Sequence, residues 1–241
     1  ADRTVRVINA GVRGFSTLQC LLTLEKYAEK WQPDLVLYLF VENDLADNRD
    51  PGPAYEGYTR PSAQMEDGRL DIFVPAESFV PTDEVRTFRE RIRWFCERSV
   101  FLEFLRLRIY VAYLGQFAQS GPEPHQINWL SILTPPEVAV EIFLAILDKL
   151  HLLAKDSGAE FMTTNAVGRW HFDPAFQAEV AEIAGLQEDF YWNKAARRLA
   201  AHARKKGYRF VSVLEAFSKE REPESLYPGE DHHWSEKGHY L

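Results

Sequence analysis

The chain has 241 residues, of which 46% are hydrophobic, so it is long enough for a domain with a sizeable buried core. Its formal net charge of -8 at pH 7 excludes a protein-wide basic surface for nucleic acid. The two cysteines, Cys20 and Cys96, do not form a disulfide framework, and their apolar helical surroundings predict two core thiols.

The N-terminal segment predicts a β-loop-α-β unit. Residues 5–8 are a short β-type run, and the two glycines of residues 9–14 mark a turn with unusual backbone angles. Apolar residues at helical spacing follow from Leu18 to Tyr27 and predict a helix. The seven apolar residues 35–41 are typical of a strand that is covered on both faces of a parallel sheet.

Residues 48–130 predict a cap inserted into the domain. Residues 48–82 are rich in Pro and Gly, which predicts a long irregular excursion with a short hairpin around Gly68. Residues 83–119 predict helices with an apolar stripe and many arginines. The arginine face is either solvated or a contact surface for a protein or a membrane.

Strand and helix alternate again in the C-terminal part of the chain. The predicted elements are a helix at 138–153 closed by Gly158, a strand at 160–164, a loop with a short helix at 165–190, a helix at 192–206 ending at Gly207, a strand at 208–213, and a helix capped by Ser235. The alternation predicts an α/β fold with a parallel sheet in a three-layer α/β/α sandwich, flavodoxin-like in outline. Residues 1–241 are expected to form a single domain that carries the cap.

Three polar clusters lie after predicted strands or in loops near the carboxyl edge of the sheet, where open parallel sheets bind ligands. Residues 9–16 enter a helix, and their backbone N–H groups could hold an oxyanion or a phosphate. Residues 42–44, Glu-Asn-Asp, either place a carboxamide donor in the cleft or cap a turn. Residues 231–239 combine an aspartate with histidines, as a general base with an orienting carboxylate does. Metal binding is the rival interpretation, but the spacing matches no common zinc pattern and no metal is expected.

In their order along the chain, the three clusters resemble conserved blocks of the GDSL/SGNH hydrolase family. "NAGVRGFST" at 9–17 resembles the second block, "FVENDL" at 40–45 resembles the third, and "DHHWSEKGHYL" at 231–241 resembles the fifth. The resemblance implies an SGNH-type fold and a serine esterase, O-acyl hydrolase or acyltransferase that needs no cofactor. The expected substrate is a small-molecule or carbohydrate ester.

The resemblance also implies a role for each matching residue. Gly14 would give a backbone N–H and Asn43 a side-chain N–H to the oxyanion hole. His233 would be the general base and Asp231 would orient it, with His232 as the alternative base. The Asp-x-His-Trp spacing resembles the variant seen in alginate-acetylation proteins and related sugar O-acyl enzymes. Relatives of this kind are often exported, so we expect a bacterial extracytoplasmic location.

One family block has no match in this sequence. The first block, a strand followed by Gly-Asp-Ser, should precede Val5, and Ser16 is a poor substitute because it begins a helix in the oxyanion-hole block. We therefore expect the nucleophilic serine upstream of residue 1. The alternative is a catalytically inactive SGNH-fold subunit that serves binding or assembly in a larger complex.

Overall fold

The structure, a computed structural model, describes residues 5–12, 14–49, 53–54, 58–75, 132–187, 190–227 and 233–240. These residues belong to one compact unit, which is formed by residues 1–75 and 128–241. The helices predicted at 83–119 lie outside the described residues, as do Cys96, Asp231 and His232.

The described elements are helices and strands. In chain order they are α1 Thr17–Trp31, β1 Leu35–Phe40, α2 Asp44–Asp47, β2 Pro53–Ala54, β3 Tyr58–Thr59, β4 Ser62–Glu66, β5 Arg69–Phe73, α3 Glu137–Asp156, β6 Glu160–Asn165, α4 Pro174–Ala184, α5 Lys194–Lys206, β7 Arg209–Val211, α6 Leu214–Ser218 and α7 Glu236–His239, with 3₁₀ helices at Arg169–His171 and Pro223–Leu226. Among these described elements, no helix is both long enough and apolar enough to cross a membrane.

A parallel sheet with the strand order β1-β6-β7 organises the unit. Leu35 lies opposite Glu160 at one end of the β1–β6 pair, and Phe40 lies opposite Asn165 at the other. Parallel neighbours need a crossover, and α3 and α5 supply the two crossovers in this sheet. The predicted α/β class with a parallel sheet is therefore confirmed.

One face of this sheet holds the main core. Because side chains alternate along a strand, Tyr38 and Phe40 of β1 share a face with Phe161 of β6, and helices α1 and α3 pack against them. Phe143 of α3 lies against the Phe40 ring with 4.8 Å between the ring centroids. The largest fully buried side chains of this core are Leu18, Leu21, Phe40, Leu45, Ile142, Phe143, Ile146, Leu147 and Leu199.

The opposite face of the sheet corrects the prediction that β1 is covered on both sides. Leu35, Leu37 and Leu39 are 48%, 56% and 44% exposed, and Val211 of β7 is 45% exposed. In the part of the chain that the structure describes, the helices named above pack on the other face. In β1, a continuous run of apolar residues therefore accompanies one buried face and one exposed face. The run alone does not indicate whether anything packs on the second face of the strand.

Val5–Ile8 was predicted as a strand, and this prediction is wrong. The segment has no regular secondary structure, and Val5 and Val7 are 80% and 82% exposed. A β-type sequence becomes a strand only when a neighbouring strand accepts its hydrogen bonds. The contact shown for this segment is a hydrogen bond from Arg6 Nη2 to the carbonyl of Trp31 at 3.2 Å.

The predicted hairpin around Gly68 is confirmed. β4 and β5 pair antiparallel, and the turn between them has positive φ at both Asp67 (49°) and Gly68 (72°). Two positive φ angles are typical of the tight turns that suit the twist of a hairpin. The hairpin joins the main core through Ala63, whose N–H donates to the carbonyl of Asn48 at 2.8 Å.

The segment after β6 is more regular than predicted. Helix α4 spans 11 residues, and Asp173 caps it by accepting hydrogen bonds from the N–H groups of Ala175 and Phe176. Pro174 occupies its first position, so the dipeptide Asp173-Pro174 was a helix-start pattern. At the C-terminus, Ser235 caps α7 as predicted, because its Oγ accepts from the N–H of Gly238 at 3.2 Å.

Candidate active site

Gly14 lies in the turn that enters α1. Its φ of 79° is in the left-handed region, which confirms the unusual backbone geometry expected of this turn. The residue is exposed, and the neighbouring N–H of Phe15 donates to the carbonyl of Val12 at 3.1 Å. The backbone at Gly14 is therefore accessible from solvent at the N-terminus of a helix.

Ser16 follows two residues later and is buried. Its side chain is enclosed at 0% exposure, its N–H donates to Gln19 Oε1 at 2.9 Å, and its Oγ lies 3.4 Å from the same oxygen. A hydroxyl held inside the first turn of α1 cannot reach an ester carbonyl. Ser16 thus serves as the helix cap, as its position in the sequence suggested.

Asn43 lies at the N-terminus of α2, directly after the carboxyl end of β1. It is exposed, and its Nδ2 donates to Asp47 Oδ2 at 2.8 Å. A carboxamide has two N–H hydrogens, so this bond leaves a second donor for a ligand. The hydrogen bond to Asp47 restrains the side-chain amide of Asn43, so its second N–H is held in a defined direction.

Asp44, the next residue, points into the core. Its Oδ2 accepts from the Tyr38 hydroxyl at 2.5 Å and from the N–H of Val41 at 3.4 Å. The Tyr38 oxygen also lies 2.8 Å from Thr17 Oγ1. Burial raises the pKa of Asp44 to about 7 and raises the pKa of Tyr38 well above its usual value. These contacts fix α2 against the end of β1 and the start of α1.

Asn48 makes a second link between the segments that contain Gly14 and Asn43. We call these two segments, together with the segment that contains His233, the three motif segments. It is fully buried, its Oδ1 accepts from the N–H of Leu18 at 2.9 Å, and its Nδ2 donates to Thr17 Oγ1 at 3.3 Å. The amide thus satisfies a helix N–H that would otherwise lack a partner. The turn that contains Gly14 and the helix that begins beside Asn43 are therefore joined through buried side chains.

His233 is exposed and belongs to a third segment, which is attached at the end of β6. The neighbouring Trp234 donates its indole N–H to the carbonyl of Val167 at 2.8 Å. Val167 follows Ala166, whose N–H donates to the carbonyl of Phe40 at 2.7 Å. The His233 segment is thus anchored next to the carboxyl ends of β1 and β6.

Two of the predicted site residues cannot be placed. Asp231 and His232 lie outside the described residues, so the orientation of His233 by Asp231 and the choice between the two histidines stay predictions. Within the described ranges, no group of three or more His, Cys, Asp or Glu side chains could hold a metal ion. Burial, with a smaller effect from Asp44, raises the pKa of the Cys20 thiol to about 12, so this thiol stays protonated at neutral pH.

A buried hydrogen bond between a histidine and a carboxylate, which the sequence did not reveal, lies close to the Asn43 segment. Glu42, directly before Asn43, has Oε1 2.8 Å from His171 Nε2, and both side chains are buried. Glu42 was noticed as part of a polar cluster, whereas nothing in the sequence distinguished His171. The two residues are 129 positions apart, so no local pattern could have paired them.

A small apolar pocket lies on the α3 and α5 side of β1. Its walls include Phe40, Leu45 and Phe143, and its edge carries Arg198, which is paired with Glu137. None of the three described site residues, Gly14, Asn43 and His233, lines this pocket, so we assign it no part in the candidate site.

Comparison of the chain with protein-family models, with curated proteins and with solved structures found no match. The function is therefore inferred from the motifs and from the geometry described above.

Proposed function

We propose that this chain is the body of an SGNH-type serine esterase or O-acyl hydrolase, or of an acyltransferase of the same type. The observation that supports the proposal best is the joining of the three motif segments near one edge of a parallel sheet. Thr17 and Asn48 connect the Gly14 turn to α2, and Trp234 attaches the His233 segment beside the end of β1. That edge is where open parallel sheets bind their ligands.

The proposed mechanism is two-step acyl transfer through a serine. The serine oxygen attacks the ester carbonyl carbon while His233 takes its proton, and Asp231 orients the imidazole. The Gly14 N–H and the Asn43 amide hold the negative oxygen of the tetrahedral intermediate. Collapse expels the alcohol, which receives the proton from His233. Water or a sugar hydroxyl then attacks the acyl-enzyme while His233 takes its proton, and the second tetrahedral intermediate expels the serine oxygen, which receives that proton.

We propose that the nucleophile is carried by a strand upstream of residue 1. Among the described strands, β1 pairs with β6 on one edge only, and Val5–Ile8 is not part of a strand. A parallel strand added to the free edge of β1 would end at the same side of the sheet as Asn43. A Gly-Asp-Ser sequence that follows such a strand would therefore enter the candidate site.

The same proposal extends to the three-layer fold. The exposed leucines of β1, Leu35, Leu37 and Leu39, form an apolar face together with Val211. Apolar faces of this kind on parallel sheets are generally covered by helices. A second helical layer over this face would complete an α/β/α sandwich.

The proposal is tested by active-site labelling of the protein together with its natural upstream segment. A fluorophosphonate probe should label a single serine, and His233→Ala should slow labelling by roughly 100-fold or more, as loss of a general base does. His202→Ala is the control, because it also removes an imidazole, and His202 Nε2 lies 2.7 Å from Asp148 Oδ1, away from the segments of Gly14, Asn43 and His233. It should label at the wild-type rate. A folded protein without a labelled serine would contradict the proposal.

The exposed apolar face also favours a second candidate function, that of a binding or assembly subunit without catalysis. Leu37, at 56% exposure, is the most exposed leucine of β1, and a partner could cover this face instead of a further layer. The upstream gene sequence separates the two functions. A Gly-Asp-Ser after an apolar strand supports the enzyme, and its absence together with no labelling supports the binding subunit.

A further inference from the structure

The buried pair of Glu42 and His171 has a place in the candidate site that the proposed mechanism does not use. The Nε2 atom of His171 lies 2.8 Å from Glu42 Oε1, and the side chains are 1% and 5% exposed. Neither group can touch a substrate from this depth. Buried polar side chains are costly unless their hydrogen bonds are satisfied, so the partners of this pair indicate what it does.

The second ring nitrogen of His171 accepts from the main chain. The N–H of Gly168 donates to His171 Nδ1 at 2.9 Å. Because a backbone N–H can only donate, Nδ1 carries a lone pair in this arrangement and Nε2 carries the proton that is donated to Glu42. The hydrogen bond to Glu42 thus fixes the imidazole of His171, and the imidazole in turn binds the N–H of Gly168 in the loop after β6.

The carbonyl next to this loop position anchors the third motif segment. Val167 precedes Gly168 and is almost fully buried, and its oxygen accepts from the Trp234 indole at 2.8 Å and from the Tyr227 hydroxyl at 2.6 Å. Trp234 is the residue after His233. A continuous hydrogen-bonded path therefore connects Glu42, beside Asn43, to Trp234, beside His233.

We propose that Glu42 and His171 are positioning residues that fix the Asn43 loop and the His233 segment relative to each other. The inference rests on the proposed function, in which Asn43 and His233 act on the same ester group. A catalytic group displaced by about 1 Å can lose roughly 100-fold in rate, so a rigid internal link between the two segments has a direct chemical use. The link acts through Trp234 and does not contact substrate.

The first test needs no activity. Glu42→Leu removes the acceptor for His171, whereas Glu42→Gln keeps an acceptor oxygen. In the folded protein, the Trp234 indole N–H, assigned by its loss in Trp234→Phe, should exchange with solvent about tenfold faster in Glu42→Leu and near the wild-type rate in Glu42→Gln.

His202→Leu is the matched control, because it breaks another His–carboxylate pair, from His202 Nε2 to Asp148 Oδ1 at 2.7 Å, away from the path. It should leave the Trp234 exchange rate unchanged. An unchanged rate in Glu42→Leu, or an equal acceleration in His202→Leu, would overturn the inference.

Trp234→Phe tests the path from its other end and decides the question if Glu42→Leu does not fold. It leaves the Glu42–His171 pair intact but removes the donor to Val167. The Gly168 amide should then exchange about tenfold faster. Unchanged Gly168 exchange in this variant would overturn the inference.

The second test uses ester hydrolysis by the protein with its upstream segment. Glu42→Leu should lower kcat by about tenfold or more with little change in KM, and Glu42→Gln should restore most of kcat. A KM effect alone would contradict a positioning role. If the wild-type protein neither hydrolyses esters nor reacts with the serine probe, the proposed function fails, while the exchange measurements still decide whether the path exists.

Discussion

Asp44 is set apart from the neighbouring Asn43 by its burial, although the two residues are adjacent in one motif. Its carboxyl group accepts from Tyr38 and Val41 in the core. Burial outweighs these hydrogen bonds and raises the pKa of Asp44 from 3.8 to about 7. The folded protein therefore binds a proton at Asp44, between about pH 4 and pH 7, that the unfolded chain has released.

This raised pKa predicts a stability change with pH. The contribution of Asp44 is fully present below about pH 4 and is lost as the pH rises through 7, because the charged form must then be buried. The loss is roughly 4 kcal/mol, from three pKa units at about 1.4 kcal/mol each. Asp44→Asn should abolish it, so urea unfolding at pH 4.5, 6 and 8 should show the wild type losing stability relative to this variant. Asp71→Asn changes an exposed carboxylate of the hairpin, so its free energy of unfolding should depend on pH in the same way as that of the wild type. The same pH dependence in Asp44→Asn would contradict the prediction.

Gly14 gives a second prediction at the residue scale. An L-residue with a φ of 79° is strained, so Gly14→Ala should lower the free energy of unfolding by about 1–2 kcal/mol. Asn tolerates left-handed backbone better than Ala does, so Gly14→Asn should be the more stable of the two variants. Denaturant unfolding of both variants checks this order. Equal stability of Gly14→Ala and the wild type would show that the turn relaxes.

Asn48 holds the contact between α1 and α2. Its effect on the free energy of unfolding can be compared with the effect of Asn43 on kcat. Asn48→Ala leaves the N–H of Leu18 buried without its acceptor, which should cost about 2–3 kcal/mol of unfolding free energy. Asn43→Ala is the matched change at an exposed asparagine and should cost less than about 1 kcal/mol. In the protein with its upstream segment, Asn43→Ala should instead lower kcat by roughly 100-fold, as loss of an oxyanion donor does.

Urea unfolding and ester hydrolysis measured on the same two variants provide this comparison. At temperatures where Asn48→Ala is folded, its loss of kcat should be smaller than that of Asn43→Ala, because Asn48 holds the Gly14 turn against α2 and does not itself donate to the oxyanion. An Asn43→Ala variant with full activity would remove Asn43 from the oxyanion hole, whatever its stability.

Elements that are specified by nearby residues in the sequence could be predicted. The Asp67-Gly68 turn needs positive φ at two positions, and the sequence supplies residues that tolerate it. The periodic apolar residues of α3 and the Gly that follows it likewise specify a helix and its end. Val5–Ile8 differs, because its state depends on whether another strand lies beside it. A sequence pattern expresses β preference but not the presence of the partner.

The candidate site likewise has parts that could be predicted from the sequence and parts that could not. The turn at Gly14 precedes the predicted helix α1 and the loop at Asn43 follows the predicted strand β1, so their locations could be predicted from the chain. The pairing of Glu42 with His171 could not, because it depends on the folded path of the loop after β6. His171 belongs to no motif that the sequence analysis distinguished, and the tertiary structure alone gives it its partner.

At the scale of the whole molecule, the sheet joins the candidate site to an exposed apolar surface. The carboxyl ends of β1 and β6 carry the segments of Asn43 and His233, while the same β1 presents Leu37 to solvent. A strand that positions a site must itself be rigid. In the described part of the chain, no strand pairs with the second edge of β1 and its second face is exposed, which protects the strand poorly. The proposed three-layer fold therefore predicts that Leu37 is covered in the natural protein.

Leu37 and Leu152 provide a direct test of that expectation, because both are 56% exposed in the described unit. Leu37→Thr and Leu152→Gln each introduce a polar residue that suits its own strand or helix. In the protein with its upstream segment, a covered Leu37 should make Leu37→Thr cost about 2–3 kcal/mol of unfolding free energy, against about 0.5 kcal/mol for the exposed Leu152→Gln. Denaturant unfolding measures both. Equal small losses would mean that this face stays open in the natural protein. The three-layer fold would then be wrong, and the binding subunit would become the better account of an apolar surface left free for a partner.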